Sequence, residues 1–293
     1  MMRLLLLLVL LLAQLTAPAQ QPAISIPSAQ GSFVFIDAQG DPKKTMTVYT
    51  YLPRGVKASE APIVIVMHGH GKNARGYRDA WIKPADAYRF MVIAPNFDAK
   101  QWSDRDYAYP EVLARDGKAR DPSRWSFSVV EHLFDAVKAA TGNPAPHYFL
   151  YGHSEGGQFV HRLVLLLPDA RYARAVAANP GWYTMPRFDV KYPYGLGATP
   201  VSEASLKTSL GRDVVVLLGD RDTDPHHPDL RTSAAAEAQG ANRFERGHNF
   251  LKEAEKRAAE LKCAFGWRLE VVRGALHSNS MMAGPAAAVL MAH

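Results

Sequence analysis

Cysteine is almost absent, with Cys263 the single one in 293 residues. An internal disulfide is therefore impossible, and a four-cysteine zinc site is excluded. Runs of like charge are missing too. Lys and Arg outnumber Asp and Glu by 34 to 28, but they are spread along the chain and no recognition-helix motif accompanies them. Nucleic acid is thus not an expected partner. The net charge of +6 supports at most an attraction for anionic substrates or surfaces. The one long apolar run, Leu4 to Ala13, is shorter than the ~20 residues that span a bilayer.

That run follows Arg3 and precedes Ala17-Pro18-Ala19, the small-residue pattern of a signal-peptidase site. Residues 1–19 therefore read as a cleaved secretory signal. The remainder, 20–293, reads as one domain, secreted or periplasmic, with no stable membrane anchor once the signal is removed. Hydrophobic residues make up 47% of the chain and charged residues 21%, a globular composition that argues against disorder.

After the leader, "GSFVFIDA" and "KTMTVYTYLP" alternate apolar and polar residues, as half-buried antiparallel strands do. Ile63 to Met67 is instead continuously apolar, the pattern of a parallel strand covered on both faces. "RFMVIAPN", "HYFLYGH", "YARAVAANP", "DVVVLLGD" and "GWRLEVVRG" read as further strands. Helical periodicity predicts helices near 73–88, 124–141, 156–167, 242–264 and 280–291. Such alternation describes an α/β fold, a mostly parallel doubly wound sheet with antiparallel strands at the N-terminal edge. Residues 98–123 and 182–211 lack periodicity and read as long loop insertions. Both leave carboxyl ends of strands, where ligands bind in open α/β sheets.

Gly152-His153-Ser154-Glu155-Gly156 places a serine between glycines at a strand-to-helix turn. A turn that sharp needs very small flanking residues and exposes the hydroxyl above the sheet. A serine hydroxyl needs a base, and the base an orienting acid. "DVVVLLGDRDTDP" offers Asp220, Asp222 and Asp224 at the end of one strand, and "ALHSNS" offers His277 after the last.

Together these stretches, with "VIVMHGHG" before the first crossover, resemble an α/β-hydrolase of the secreted esterase and polyester (polyhydroxybutyrate) depolymerase-like group. The resemblance spans essentially the whole mature chain. It implies Ser154 as nucleophile, Asp222 as acid with Asp224 the runner-up, and His277 as base. It also implies the backbone amides of Glu155 and His70 as the oxyanion hole. No cofactor or metal is needed. A calcium loop at D-x-D-x-D is rejected because Pro225 and Arg231 stand where Gly and Glu belong. His226 and His227 are assigned nothing. His153 can line the site without acting as base.

The expected activity is hydrolysis of a carboxylic ester, small or polymeric, on a polyester or an aromatic ester. The alternatives are amide hydrolysis in an anionic polymer, acyl transfer to an alcohol, and a non-catalytic binding module. Trp102, Tyr107, Tyr109, Trp182, Tyr183, Tyr192 and Tyr194 either wall an acyl pocket or anchor the long loops.

Overall fold

The computed structural model describes residues 21–110 and 112–292. The leader assignment, 1–19, lies outside the described residues. In chain order the elements are β1 (Ala29–Ile36), β2 (Thr45–Leu52), β3 (Ile63–Met67), α1 (Ala74–Ala80), α2 (Ile82–Tyr88) and β4 (Met91–Asn96). There follow α3 (Asp104–Tyr107), α4 (Ser126–Thr141), β5 (Tyr148–His153), α5 (Glu155–Leu166), β6 (Tyr172–Ala178) and α6 (Glu203–Leu210). The last are β7 (Val214–Gly219), α7 (Ala234–Glu237), α8 (Arg243–Leu261), β8 (Trp267–Val272) and α9 (Asn279–Met291).

Among the described residues the strands form one eight-stranded sheet in the order β1-β2-β4-β3-β5-β6-β7-β8. β1 and β2 run antiparallel, and the strands from β4 to β8 are parallel to one another. This is the doubly wound α/β sheet that the alternation of patterns predicts. The continuous apolar runs are explained by two-sided burial. In β3, Ile63, Ile65 and Met67 enter a core with Phe127, Phe159 and Phe250, while Val64 and Val66 enter a second core with Trp81, Ala85 and Met282. Successive strand side chains point to opposite faces, so every position must be apolar when helices cover both.

Three local departures have physical reasons. The helix expected over 73–88 divides at Trp81, because Pro84 has no N–H to continue the ladder and its ring crowds the preceding turn. The loop 182–211 ends in α6, capped by a reciprocal Ser202–Ser205 box. Its eight residues bury only Leu206, Ser209 and Leu210, too few to show a period. Within 98–123, α3 is a single capped turn starting after Ser103. No helix among the described residues is long and apolar enough to cross a membrane.

Candidate active site

The parallel strands all point their carboxyl ends at one edge, and the singled-out residues gather there. Ser154 follows β5 with φ 58° and ψ −118°, a left-handed backbone that a non-glycine residue holds only when its surroundings force it. The force is crowding. A Cβ on Gly152 would fall 2.1 Å from the Gly156 carbonyl oxygen, and one on Gly156 would fall 2.3 Å from that of Met67. The turn thus packs against the end of β3, and side chains are excluded on both sides of the serine.

Ser154 Oγ lies 2.9 Å from His277 Nε2, and His277 Nδ1 lies 2.7 Å from Asp222 Oδ2. The carboxylate accepts a hydrogen bond from Nδ1–H and so fixes the tautomer, which leaves Nε2 free to accept from the serine. Asp222 is buried, whereas Asp224 is exposed and accepts the His226 N–H at 2.8 Å. The structure therefore brings together Ser154, His277 and Asp222, and leaves Asp224 outside. Asp220 accepts from Gly274 N–H. Burial holds the His277 pKa below its usual value; the bond to Asp222 opposes this, and the charges of Arg243 and His227 add to it.

The glycine-rich loop after β3 lies against the serine, since a Cβ on Gly69 would be 3.6 Å from Ser154 Cβ. His70 is exposed, and its Nδ1 is 3.8 Å from Glu155 Oε2. Glu155 is buried, and burial raises its pKa against the pull of Lys72. Lys72 Nζ is 3.7 Å from Glu155 and 3.5 Å from Asp104, and sits 4.7 Å over the Tyr107 ring. Ligand atoms of His70, Asp104 and Glu155 lie within 4.8 Å of one another, a spacing that suits a metal ion. The Lys72 ammonium supplies the positive charge there.

Two neighbours, Arg243 and Tyr77, escaped the sequence reading, whereas His153 was expected to line the site. Arg243, fully buried, donates to Asp222 Oδ1 at 3.3 Å and approaches His227 Nδ1 at 3.3 Å. His153 is buried with its ring 4.7 Å from that of His277, and its Nδ1 meets the Tyr77 hydroxyl at 3.0 Å. A buried arginine on a helix and a tyrosine 76 residues from its partner carry no local pattern that spacing could detect.

The aromatic residues of the two long loops divide between the expected roles. Tyr109 and Trp182 line a cleft of about 300 Å³ with Ser154, Glu155 and Arg231. Trp102 and Tyr183 are buried anchors, against Phe97 and Phe250 respectively. Tyr107 is buried as well and donates to the His68 carbonyl at 2.6 Å. Tyr192 reaches the Pro110 carbonyl, and Tyr194 packs on Trp182.

No protein-family model matches the chain, and no curated protein matches it. Among solved structures, poly(aspartic acid) hydrolase-1 from Sphingomonas sp. KT-1 is 41% identical with a TM-score of 0.87, over 91% of this chain and 100% of that one. LpqC, a poly(3-hydroxybutyrate) depolymerase from Bordetella parapertussis, is 32% identical with a TM-score of 0.84, over 90% of each chain. FphF, a fluorophosphonate-binding serine hydrolase of Staphylococcus aureus, shares the fold alone, at 13% identity and a TM-score of 0.57 over 90% of this chain and 99% of that one. By fold, site geometry and likeness over nearly its whole length, the chain belongs to the depolymerase-like serine hydrolases of the α/β-hydrolase family.

Proposed function

We propose that the protein hydrolyses carbonyl-linked polymers outside the cytoplasm through an acyl-enzyme on Ser154, with residues 20–293 acting as one domain. The observation that carries this reading is the unbroken hydrogen-bonded line from Ser154 through His277 to Asp222. His277 Nε2 takes the serine proton as Oγ attacks the carbonyl carbon, and Asp222 stays ionised and steadies the imidazolium. The oxyanion accepts hydrogen bonds from the backbone amides of Glu155 and His70. The imidazolium then protonates the leaving amine or alcohol. Water attacks the acyl-enzyme by the same route, and the free acid leaves. The chain's own groups carry every proton in this sequence.

For the substrate we favour an amide-linked polyanion of the poly(aspartic acid) type. The 41% identical relative is named for that polymer, and Arg231 lines the cleft beside Ser154. A polyester is the second reading, supported by the 32% identical depolymerase. The test is in two steps. A fluorophosphonate should label Ser154 stoichiometrically, and labelling should be lost in Ser154→Ala and His277→Ala. The mature protein should then shorten poly(aspartic acid) chains faster than it releases soluble acid from poly(3-hydroxybutyrate), with either substitution costing on the order of 10³-fold or more in rate. A folded protein that takes no label overturns the acyl-enzyme. Labelling with faster release from the polyester reverses the substrate order.

A further inference from the structure

Buried charges are normally paired, because leaving water without a counter-ion is costly. Arg162 departs from this rule. Its side chain is fully buried on α5, about two turns beyond the proposed nucleophile. Its partners are neutral: Nε donates to Thr184 Oγ1 at 2.9 Å and Nη1 donates to the Ala108 carbonyl. Nη2 meets no partner among the described residues. Burial lowers its pKa to about 10, which leaves it charged at neutral pH. The carboxylate of Glu155, whose field reaches it, is already shared by Lys72 and His70.

A second guanidinium lies near the first. Arg162 Cζ is 4.2 Å and Arg231 Cζ is 5.8 Å from the centre of the Trp182 ring. Trp182 in turn packs against Tyr194 at 4.5 Å and Tyr109 at 5.7 Å. Burial works against the charge on Arg231, but the phenol oxygens of Tyr194 and Tyr109 more than offset it. Trp182, Tyr109 and Arg231 line the cleft that holds Ser154, and Arg231 is exposed to it. Two cations therefore share one aromatic wall, and neither pairs with a carboxylate among the described residues. The carboxylates that also line the cleft face other cations. Lys72 serves Asp104 and Glu155, and Asp229 lies in the field of Arg243.

We propose that Arg231, with Arg162 behind the Trp182 ring, forms a subsite for a carboxylate carried by the substrate beside its scissile carbonyl. Arg231 touches that carboxylate with its forked donors. Arg162 contributes field through the ring without contact, as a cation stacked on an aromatic face does. The incoming carboxylate supplies the counter-charge that both guanidiniums lack. The subsite rests on the reading of Ser154 as nucleophile and gives the anionic-polymer preference a structural source.

The test uses two activated esters of equal chain length, p-nitrophenyl pentanoate and mono-p-nitrophenyl glutarate, which differ by a terminal carboxylate. The wild-type protein should favour the glutarate in kcat/KM, and added salt should erode only that preference. Arg231→Gln should lose roughly tenfold or more on the glutarate, with most of the change in KM. It should lose several-fold less on the pentanoate, which brings no carboxylate to the subsite. Arg231→Lys should recover part of the loss, since it restores charge but not the fork. Shortening of poly(aspartic acid) should fall in parallel. Equal losses on both esters, or no wild-type preference, would overturn the subsite while hydrolysis at Ser154 still stood. Failure of both esters together with absent fluorophosphonate labelling would remove the nucleophile itself, and the subsite with it.

Discussion

Arg243 is one of the groups that tune the His277 imidazole. Four charged or titratable groups face the His277 imidazole or its acid. Asp222 bonds to it at 2.7 Å, and the rings of His153 and His227 lie 4.7 and 5.5 Å away. Arg243 stands behind Asp222 at 3.3 Å. Burial is the largest cause of the lowered His277 pKa, and the Arg243 charge deepens it. The acid limb of the kcat/KM profile should therefore lie below pH 6.5, the ordinary value for histidine. Arg243→Gln removes a positive charge, which favours the imidazolium, so the limb should move to higher pH by about half a unit. A plain packing role would lower the plateau and leave the limb in place. Profiles on a small activated ester distinguish the two. Nothing in the sequence singled out Arg243, because its partner is 21 residues away and the pairing forms only when α8 packs beside β7. Asp222 was legible through the family resemblance, with Asp224 the runner-up, and the bond to His277 Nδ1 is what separates the two in space.

At the scale of elements, the proposed oxyanion hole needs the loop after β3 and the amino end of α5 to aim two backbone amides at one point. Glu155 is an awkward residue to find there, because its carboxylate is buried beside the place where an oxyanion would form. Lys72 answers it from the β3 loop, at 3.7 Å, and so ties the two elements together. Lys72→Met should leave an unbalanced carboxylate and lower kcat by about tenfold, on the scale of a lost buried ion pair discounted for its loose geometry. The double variant Lys72→Met/Glu155→Gln should regain much of that loss, since the unpaired charge is gone. If the double variant is worse than the single one, the pair acts by another route. A coupling of this kind is measured by a double-mutant cycle on one ester. The elements themselves were largely readable. The β3 run from Ile63 to Met67 matches the observed strand because burial on both faces leaves an uninterrupted signal. α6 was not readable, because an eight-residue helix held by caps shows its pattern only in Ser202 and Ser205.

Across the whole molecule, buried histidines act as neutral staples, His68 between the ends of β3 and β4 and His161 between α5 and the loop that carries Thr184. His68 Nδ1 donates to the Gly69 carbonyl at 2.9 Å, while its Nε2 accepts the Phe97 N–H at 3.0 Å. His161 Nδ1 donates to the Gly157 carbonyl at 3.0 Å, and its Nε2 accepts the Thr184 N–H at 2.9 Å. Each ring uses one nitrogen as donor and the other as acceptor, so a second proton would break a hydrogen bond to the backbone. Burial accordingly pushes His68 down to about 3, and holds His161 and His153 well below the ordinary value. In the unfolded chain the same rings take up protons near pH 6.5. Below that pH the unfolded state binds more protons than the native one, so stability rises with pH. The contribution is fully present above about pH 6.5 and is lost progressively as pH falls toward the folded values. Each neutral staple should cost about 1.4 kcal/mol per pH unit over that window. The urea midpoint should therefore fall between about pH 7 and pH 5, well before carboxylates titrate in bulk. His161→Gln should be less stable at neutral pH, because an amide cannot reproduce both bonds, yet its midpoint should fall less steeply on acidification. A wild-type midpoint that stays level over that interval would mean these rings are protonated or exposed. The staple at Thr184 would then have to be sought elsewhere in the loop that carries Trp182.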